Sequence, residues 1–364
     1  MSIAASPWFL AFAGLGAGLL LGFAARSNHF CTMSSLERYW YAGDGSGLRT
    51  WMLAAATAVV ATQTMQALGW VDSDSSFYVR SGFAWVGAIA GGIAFGFGMA
   101  LVGTCGFGAL VRLGGGSLRS LIVLIVLGLG AMSAQKGLIA QARVALSDNH
   151  AIDLSAMGGQ SLGRIVSHWA GRDMTLVVAG AVALLILAWI FRDPGYRRRT
   201  GSIATGVTVG LIVTFGWWAT SYAAIHSFEV VQIEAGSFVV PVADTLLQAI
   251  TFTGTLPDYG VGLVLGVVGG AALCAMWKRD VRWEACDDAR ELGRHLGGGL
   301  LMGIGGVFAM GCTIGQGVTG MSALAVSAPL VLVSIFLGAR MGLAYLIEGS
   351  PLEAFRSFAR QPAE

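Results

Sequence analysis

Three cysteines stand at one position relative to a glycine pair. Gly18-x-x-x-Gly22 is followed nine residues on by Cys31, Gly92-x-x-x-Gly96 by Cys105, and Gly299-x-x-x-Gly303 by Cys312. A fourth pair, Gly206-x-x-x-Gly210, has Ala219 at the matching place. A thiol is a weak, polarisable donor, matched to a large soft partner such as a sulfur atom. The polar company of these thiols is limited. His29 and Thr32 flank Cys31, Thr104 precedes Cys105, and Thr313 and Gln316 follow Cys312. No carboxylate lies within four residues of Cys105 or Cys312, and Glu37, six positions on, is the nearest to Cys31. A cation path through a bilayer usually carries an intramembrane Asp or Glu. Its absence beside many glycine amides points to an anion, because interrupted helix N-termini offer free N–H groups and partial positive charge. Weak, repeated contacts also suit conduction, since an ion must be held and then let go.

The elements that position these thiols must lie in a membrane. Apolar residues make up 55% of the 364 and charged residues 12%, and mean hydropathy is +0.71. A soluble globular chain has about twice that charge density. The charges cluster between long apolar runs, so the chain reads as an all-α polytopic membrane protein. A net charge of +2 implies no basic surface for nucleic acid. Glycine supplies 54 residues, roughly double the usual share, which lets helices approach closely and lets backbone bend where protein covers it. Five cysteines, without C-x-x-C or C-x-x-H, suggest neither a disulfide framework nor a zinc site. Reduced thiols in a membrane interior are expected, and no cofactor is called for. The first apolar stretch has no Lys or Arg ahead of it and reads as a retained helix.

Spans need about 20 apolar residues, fewer where a helix is interrupted. Candidate segments are 7–25, 50–70, 83–103, 118–141, 174–191, 201–224, 239–256, 259–277, 297–311 and 326–347. Around Cys31, Cys105 and Cys312 the chain is expected to dip as helix–loop–helix. Gly103-Thr104-Cys105-Gly106 and Gly311-Cys312-Thr313-Ile314-Gly315-Gln316-Gly317 are too glycine-dense to stay helical cheaply. The hydrophilic run Arg192 to Arg199 divides a first membrane half, 1–191, from a second, 201–364, with 192–200 as a basic linker. Each half carries two glycine modules, and internal repeats of this kind mark many transporters.

Segments 192–199 and 278–294 are strongly basic and are expected in the cytoplasm. Segment 226–238, with Glu229 and Glu234 and no Lys or Arg, suits the outside, while Arg356 and Arg360 put the C-terminus inside. Arg340, within the last apolar segment, either balances a substrate's charge or snorkels to headgroups. Lys136 reads as an interfacial anchor, and His29 as a structural histidine or a modulator of Cys31. Cys274 and Cys286 lack the module and read as structural. The polar stretch 144–173 has no evident role from sequence.

These residues resemble the YeeE/YedE family of membrane proteins, whose repeated units belong to the sulfur-transport family. The strongest match is Gly303-Ile-Gly305-Gly-Val-Phe-Ala-Met-Gly311-Cys312-Thr-Ile-Gly315-Gln-Gly317, followed by Gly96 to Gly108 around Cys105 and Gly22 to Thr32 around Cys31. The resemblance implies a thiosulfate importer of the bacterial inner membrane. Its two inverted-repeat halves would form an hourglass, with Gly/Cys-rich re-entrant loops plunging to the centre. It further implies that cysteines at the narrow point relay the ion through S–H···S contacts, a role falling on Cys31, Cys105 and Cys312, with Cys105 central. Gly103, Thr104, Gly106, Gly311, Thr313, Gln316 and Arg340 complete the expected translocation site. Some relatives carry a fused sulfurtransferase domain of the TusA type. The sequence to Glu364 shows none, so a TusA-like partner is expected as a separate protein on the cytoplasmic face.

Two other readings remain at this stage. One is transport of another sulfur or selenium oxyanion. The other is a membrane thiol enzyme, redox or sulfurtransferase, which would need a low-potential cysteine pair or an activated thiolate with a nearby base. Only Cys31 has a close histidine in sequence.

Overall fold

The computed structural model describes residues 8–227, 231–252, 257–286 and 288–350. Glu229, Arg356 and Arg360, and the end of the expected segment 239–256, lie outside the described residues. In order, the chain forms α1 (Phe9–Ser27), α2 (Thr32–Ala42), α3 (Ser46–Ala67), α4 (Trp85–Val102) and α5 (Gly106–Gly114). Then come α6 (Leu118–Lys136), α7 (Leu138–Leu146), α8 (Leu162–Ala170), α9 (Thr175–Phe191) and α10 (Pro194–Arg197). The second part comprises α11 (Thr200–His226), α12 (Val240–Ile250), α13 (Tyr259–Trp277), α14 (Ala289–Phe308) and α15 (Ser327–Glu348). Between α14 and α15 a further helix runs over 313–322, with π geometry at Gly315–Gly320; it is called the Cys312 helix below. The sheet content described is one two-stranded ladder pairing Gly82 with Asp153 and Phe83 with Ile152.

Six helical spans among the described residues are long and apolar enough to cross a membrane, which makes this a multi-pass membrane protein. Such helices satisfy their own backbone groups, the condition for stability in hydrocarbon. Leu184 and Leu185 stand 68% and 73% exposed on α9, apolar side chains with only lipid to meet. Two boundaries differ from the sequence reading. Helix α14 begins at Ala289, ahead of the expected 297, because the Asp288 carboxylate caps it by accepting from the Glu291 amide at 2.6 Å. Helix α12 has 11 residues, too short to span.

All four glycine pairs do the same work: each docks its helix against another, backbone to backbone. A methyl at Gly18 or Gly22 would meet α13 at Leu263 and Val267; one at Gly92 or Gly96 would meet α15 at Ser334 and Ile335. Gly299 and Gly303 lie against α6 at Val123 and Leu127, and Gly206 and Gly210 against α3 at Thr50 and Ala54. Every one of these contacts crosses the 192–200 segment, so helices from before it interlock with helices from after it. A Gly96→Val substitution would drive a side chain into the Ile335 carbonyl. Overpacking typically costs about 1–3 kcal/mol, more when backbone must yield. Gly96→Val should therefore lower the melting temperature and the monodisperse yield in detergent; an unchanged melting curve would contradict this packing.

Ion pairs gather both basic segments at one end of the bundle. Arg26 pairs with Asp280 (3.5 Å), Arg119 with Glu284 (3.1 Å) and Glu291 (2.6 Å), Arg49 with Asp193 (2.7 Å) and Arg199 with Asp44 (3.8 Å). Hydrogen bonds from Ser46 hold the Asp44 carboxyl below its usual range. Asn28 Nδ2, two residues past Arg26, donates to Thr205 Oγ1 at 2.6 Å, which places the start of α11 at this same end. Glu234 lies at the opposite end, where its carbonyl accepts from Thr220 near the close of α11. The 144–173 stretch also has structure. The Leu162 amide donates to Leu324 O (2.8 Å), the Val326 amide to Gln160 O (2.9 Å), and Gln160 Nε2 to Gly82 O (2.9 Å). It therefore braces the turn between the Cys312 helix and α15.

Candidate translocation site

Each of the three modules ends in a broken helix, and each cysteine is the residue from which the next helix restarts. Helix α1 stops at Ser27 and α2 starts after Cys31; α4 stops at Val102 and α5 starts after Cys105; α14 stops at Phe308 and the Cys312 helix starts after Cys312. The residue two before each cysteine takes the left-handed conformation: His29 (φ 52°), Gly103 (φ 74°) and Met310 (φ 56°). Left-handed backbone costs a non-glycine residue about 1–2 kcal/mol, so the breaks at His29 and Met310 are held by their surroundings. At the third break Gln316 Nε2 does the holding, donating to Ala309 O (2.9 Å) and Met310 O (3.2 Å). Gly311 follows with φ 154°. The fourth module has no break: α11 runs unbroken from Thr200 to His226 through Ala219. Break and thiol occur together.

The breaks converge. Cys31 Sγ lies 3.7 Å from Thr104 Oγ1, joining residues 73 positions apart. Thr32 Oγ1 donates to Thr313 Oγ1 at 3.3 Å across 281 positions. Cys105 lies within electrostatic reach of both Cys31 and Cys312. At Gly108 the point where a side chain would begin is 3.2 Å from Cys31 Sγ and 3.6 Å from Cys105 Sγ. Amides of the restarting helices meet the sulfurs: Gly108 N–H donates to Cys105 Sγ at 3.4 Å, and Gly315 N–H to Cys312 Sγ at 3.3 Å. All five cysteines are free thiols, Cys31 half-buried and Cys105 and Cys312 buried.

Gly106, the first residue of α5, abuts the Phe238 carbonyl, and the Phe107 and Phe238 rings lie 4.9 Å apart. Phe30 stands edge-on to Phe107 at 6.3 Å. Aromatic rings thus pack beside a site whose polar groups are thiols, hydroxyls and amides. Three helix N-termini point into it, each carrying roughly half a positive charge.

A cavity of about 610 Å³ leads from the Glu234 end of the bundle down to Met310, Gly311 and Ser237 beside Cys312. Its walls include Arg80, Lys136 and Arg143 but also Glu234, Asp244 and Asp258. Formal charges along these walls balance, while burial pushes the Glu234 carboxyl up toward its neutral form. On the other side of the thiols, Gly103 and Arg112 are exposed, and Arg112 Nη2 donates to Gly103 O at 3.0 Å.

Nine of the ten expected site residues gather here. The tenth, Arg340, does not. It is 8% exposed and sits over the rings of Trp40 (5.5 Å) and Tyr41 (5.0 Å), near the close of α2, roughly 14 Å along that helix from Cys31. His29 is an exposed turn residue that ends α1. Lys136 lines the vestibule. Sequence reasoning missed Arg112, which shares a helical face with Cys105 at a spacing of seven; that spacing was the available signal. It also missed Gly108 and Tyr78.

The family pattern described as sulphur transport matches residues 26–341. The chain belongs to the sulphur transport family. It is 26% identical over 325 residues to the thiosulfate transporter TsuA of Escherichia coli (strain K12), covering 84% of this chain and 85% of that protein. It is 27% identical over 266 residues to the thiosulfate transporter TsuA of Spirochaeta thermophila, covering 70% of this chain and 75% of that one. The family pattern runs from just before Cys31 to just past Arg340, so it takes in all three thiol breaks of this sulphur transport protein.

Proposed function

We propose that this protein takes up thiosulfate across the bacterial inner membrane. The observation that carries the reading is the meeting of three helix N-termini, each starting at a cysteine, in a carboxylate-poor junction at the end of a vestibule. The names of its relatives support the choice of ion. Thiosulfate is a dianion with a soft terminal sulfur. Its oxygens would be held by amides and hydroxyls as it loses water, while its terminal sulfur passes from Cys312 to Cys105 to Cys31 through weak hydrogen bonds. No covalent step is required. In this reading 1–191 and 201–364 are repeated halves, and the end carrying 192–199 and 278–294 faces the cytoplasm. Ion delivered there would meet a separate sulfurtransferase of the TusA type.

The test is uptake of labelled thiosulfate into proteoliposomes, with sulfate and selenium oxyanions as competitors and with imposed potential or pH gradients. Saturable uptake that excess sulfate leaves intact is expected; no uptake above empty liposomes would end the proposal. Because the Cys31 and Cys105 sulfurs both lie beside Gly108, a second reading is a thiol redox protein. Mass spectrometry of the protein after uptake separates the two: persistent free thiols accord with transport, an accumulating Cys31–Cys105 disulfide with the rival.

A further inference from the structure

Behind the residues that floor the vestibule lies a buried donor that the thiol pathway leaves unused. Tyr78, from the turn Phe77–Val79 between α3 and α4, is 1% exposed. Its ring lies along the Cys312 helix, with Cδ1 3.4 Å from the side-chain position of Gly320 and the hydroxyl 3.1 Å from that of Gly315. Ser237 Oγ lies 3.0 Å from the same point at Gly315. The two glycines make room for the ring, and the hydroxyl is delivered to the first turn of the helix that Cys312 caps. There Ser237 stands within reach, but the two do not meet in hydrogen-bond geometry. An unpartnered hydroxyl buried in protein costs about 1–3 kcal/mol, an expense that packing alone does not explain, since phenylalanine would fill the same space. Phe77, Ser237, Met310 and Gly311 around it line the vestibule.

We propose that the Tyr78 hydroxyl, together with Ser237 Oγ and the first turn of the Cys312 helix, forms an oxyanion subsite at the vestibule floor. It takes the oxygen end of a tetrahedral sulfur oxyanion while the terminal sulfur meets Cys312. The subsite deepens the uptake reading and rests on it for the identity of the ion. A neutral hydroxyl donor next to helix amides favours an anion yet binds it weakly enough to release it.

Tyr78→Phe tests the subsite in two assays on the full-length protein. In proteoliposomes, the thiosulfate concentration giving half-maximal uptake should rise about tenfold, the loss expected for one hydrogen bond to a charged group, with the maximal rate within about twofold. In detergent, the ion-free variant should melt at or above the wild-type temperature, because a buried unpartnered group has been removed, while stabilisation by added thiosulfate shrinks. Unchanged half-saturation would overturn the subsite. So would a destabilised ion-free variant that keeps its full thiosulfate shift, the mark of a structural hydroxyl. If the wild type takes up no thiosulfate, the transport reading fails and the melting arm still decides: a thiosulfate shift lost in Tyr78→Phe upholds the subsite, and a shift equal in both proteins, or absent from both, overturns it.

Discussion

Cys105→Ala should abolish thiosulfate uptake while leaving the protein folded in the membrane. The Cys105 sulfur lies with that of Cys31 beside Gly108, accepts from the Gly108 amide and is in electrostatic reach of Cys312. In the proposed relay it is the link between the other two. Alanine removes that thiol donor and strands the Gly108 amide. A hydrogen bond to a charged group is worth about 1.5–3 kcal/mol, so losing the central contact alone predicts a fall of roughly one to two orders of magnitude. The gap in the sequence of contacts deepens that loss. Stability should drop by only about 1 kcal/mol, since the side chain removed is small and its neighbours are weak partners. Growth on thiosulfate as sole sulfur source, alongside a membrane-fraction blot, reads both effects. Normal uptake by this variant would refute the relay. Cys31→Ala and Cys312→Ala should impair uptake less uniformly, because each serves one side of the junction.

Gly108→Ala should block the same step without touching any thiol. The added methyl would collide with Thr104 Oγ1 and lie 3.2 Å from Cys31 Sγ and 3.6 Å from Cys105 Sγ, filling the space between the two sulfurs. Within a helix, alanine is favoured over glycine by about 1 kcal/mol, which offsets part of the strain against Thr104. Folding should therefore survive, and all three cysteines should remain free by mass spectrometry. Uptake should nevertheless fall about tenfold or more, because a constriction that passes an ion by weak contacts has no slack for an extra carbon. Wild-type uptake by Gly108→Ala would mean that the ion does not pass between Cys31 and Cys105. The pair of substitutions separates chemistry from space: one removes a sulfur and leaves room, the other keeps every sulfur and removes room.

Local properties of the chain were legible before any coordinates. Hydropathy and charge clustering located most of the long helices to within a few residues, because burial in lipid is decided over a window of about 20 residues. Glycine density around Cys105 and Cys312 foretold helix breaks, since poor helix propensity is a property of the residues themselves. The recurrence of glycine pair and cysteine singled out the three thiols. At 239–256 the same reasoning overreached: α12 is apolar along its length but stops at Ile250. Hydropathy reports that a segment avoids water, not how far its helix runs.

What the tertiary structure alone decided is who meets whom. The threonine pair 32–313 and the 31–104 contact join positions that nothing in the intervening sequence ties together. Each glycine pair signalled close approach, but its partner helix followed from the docking of one part of the chain on the other. Arg340, apolar in its neighbours and cationic in itself, looked like a site residue and instead lies over Trp40 and Tyr41. Tyr78, in a polar turn with no local signal, reaches the thiol-capped helix. Sequence can specify a break and the atom placed at it, because both depend on neighbours along the chain. Convergence depends on packing across hundreds of residues, and so on shape complementarity that no local window contains.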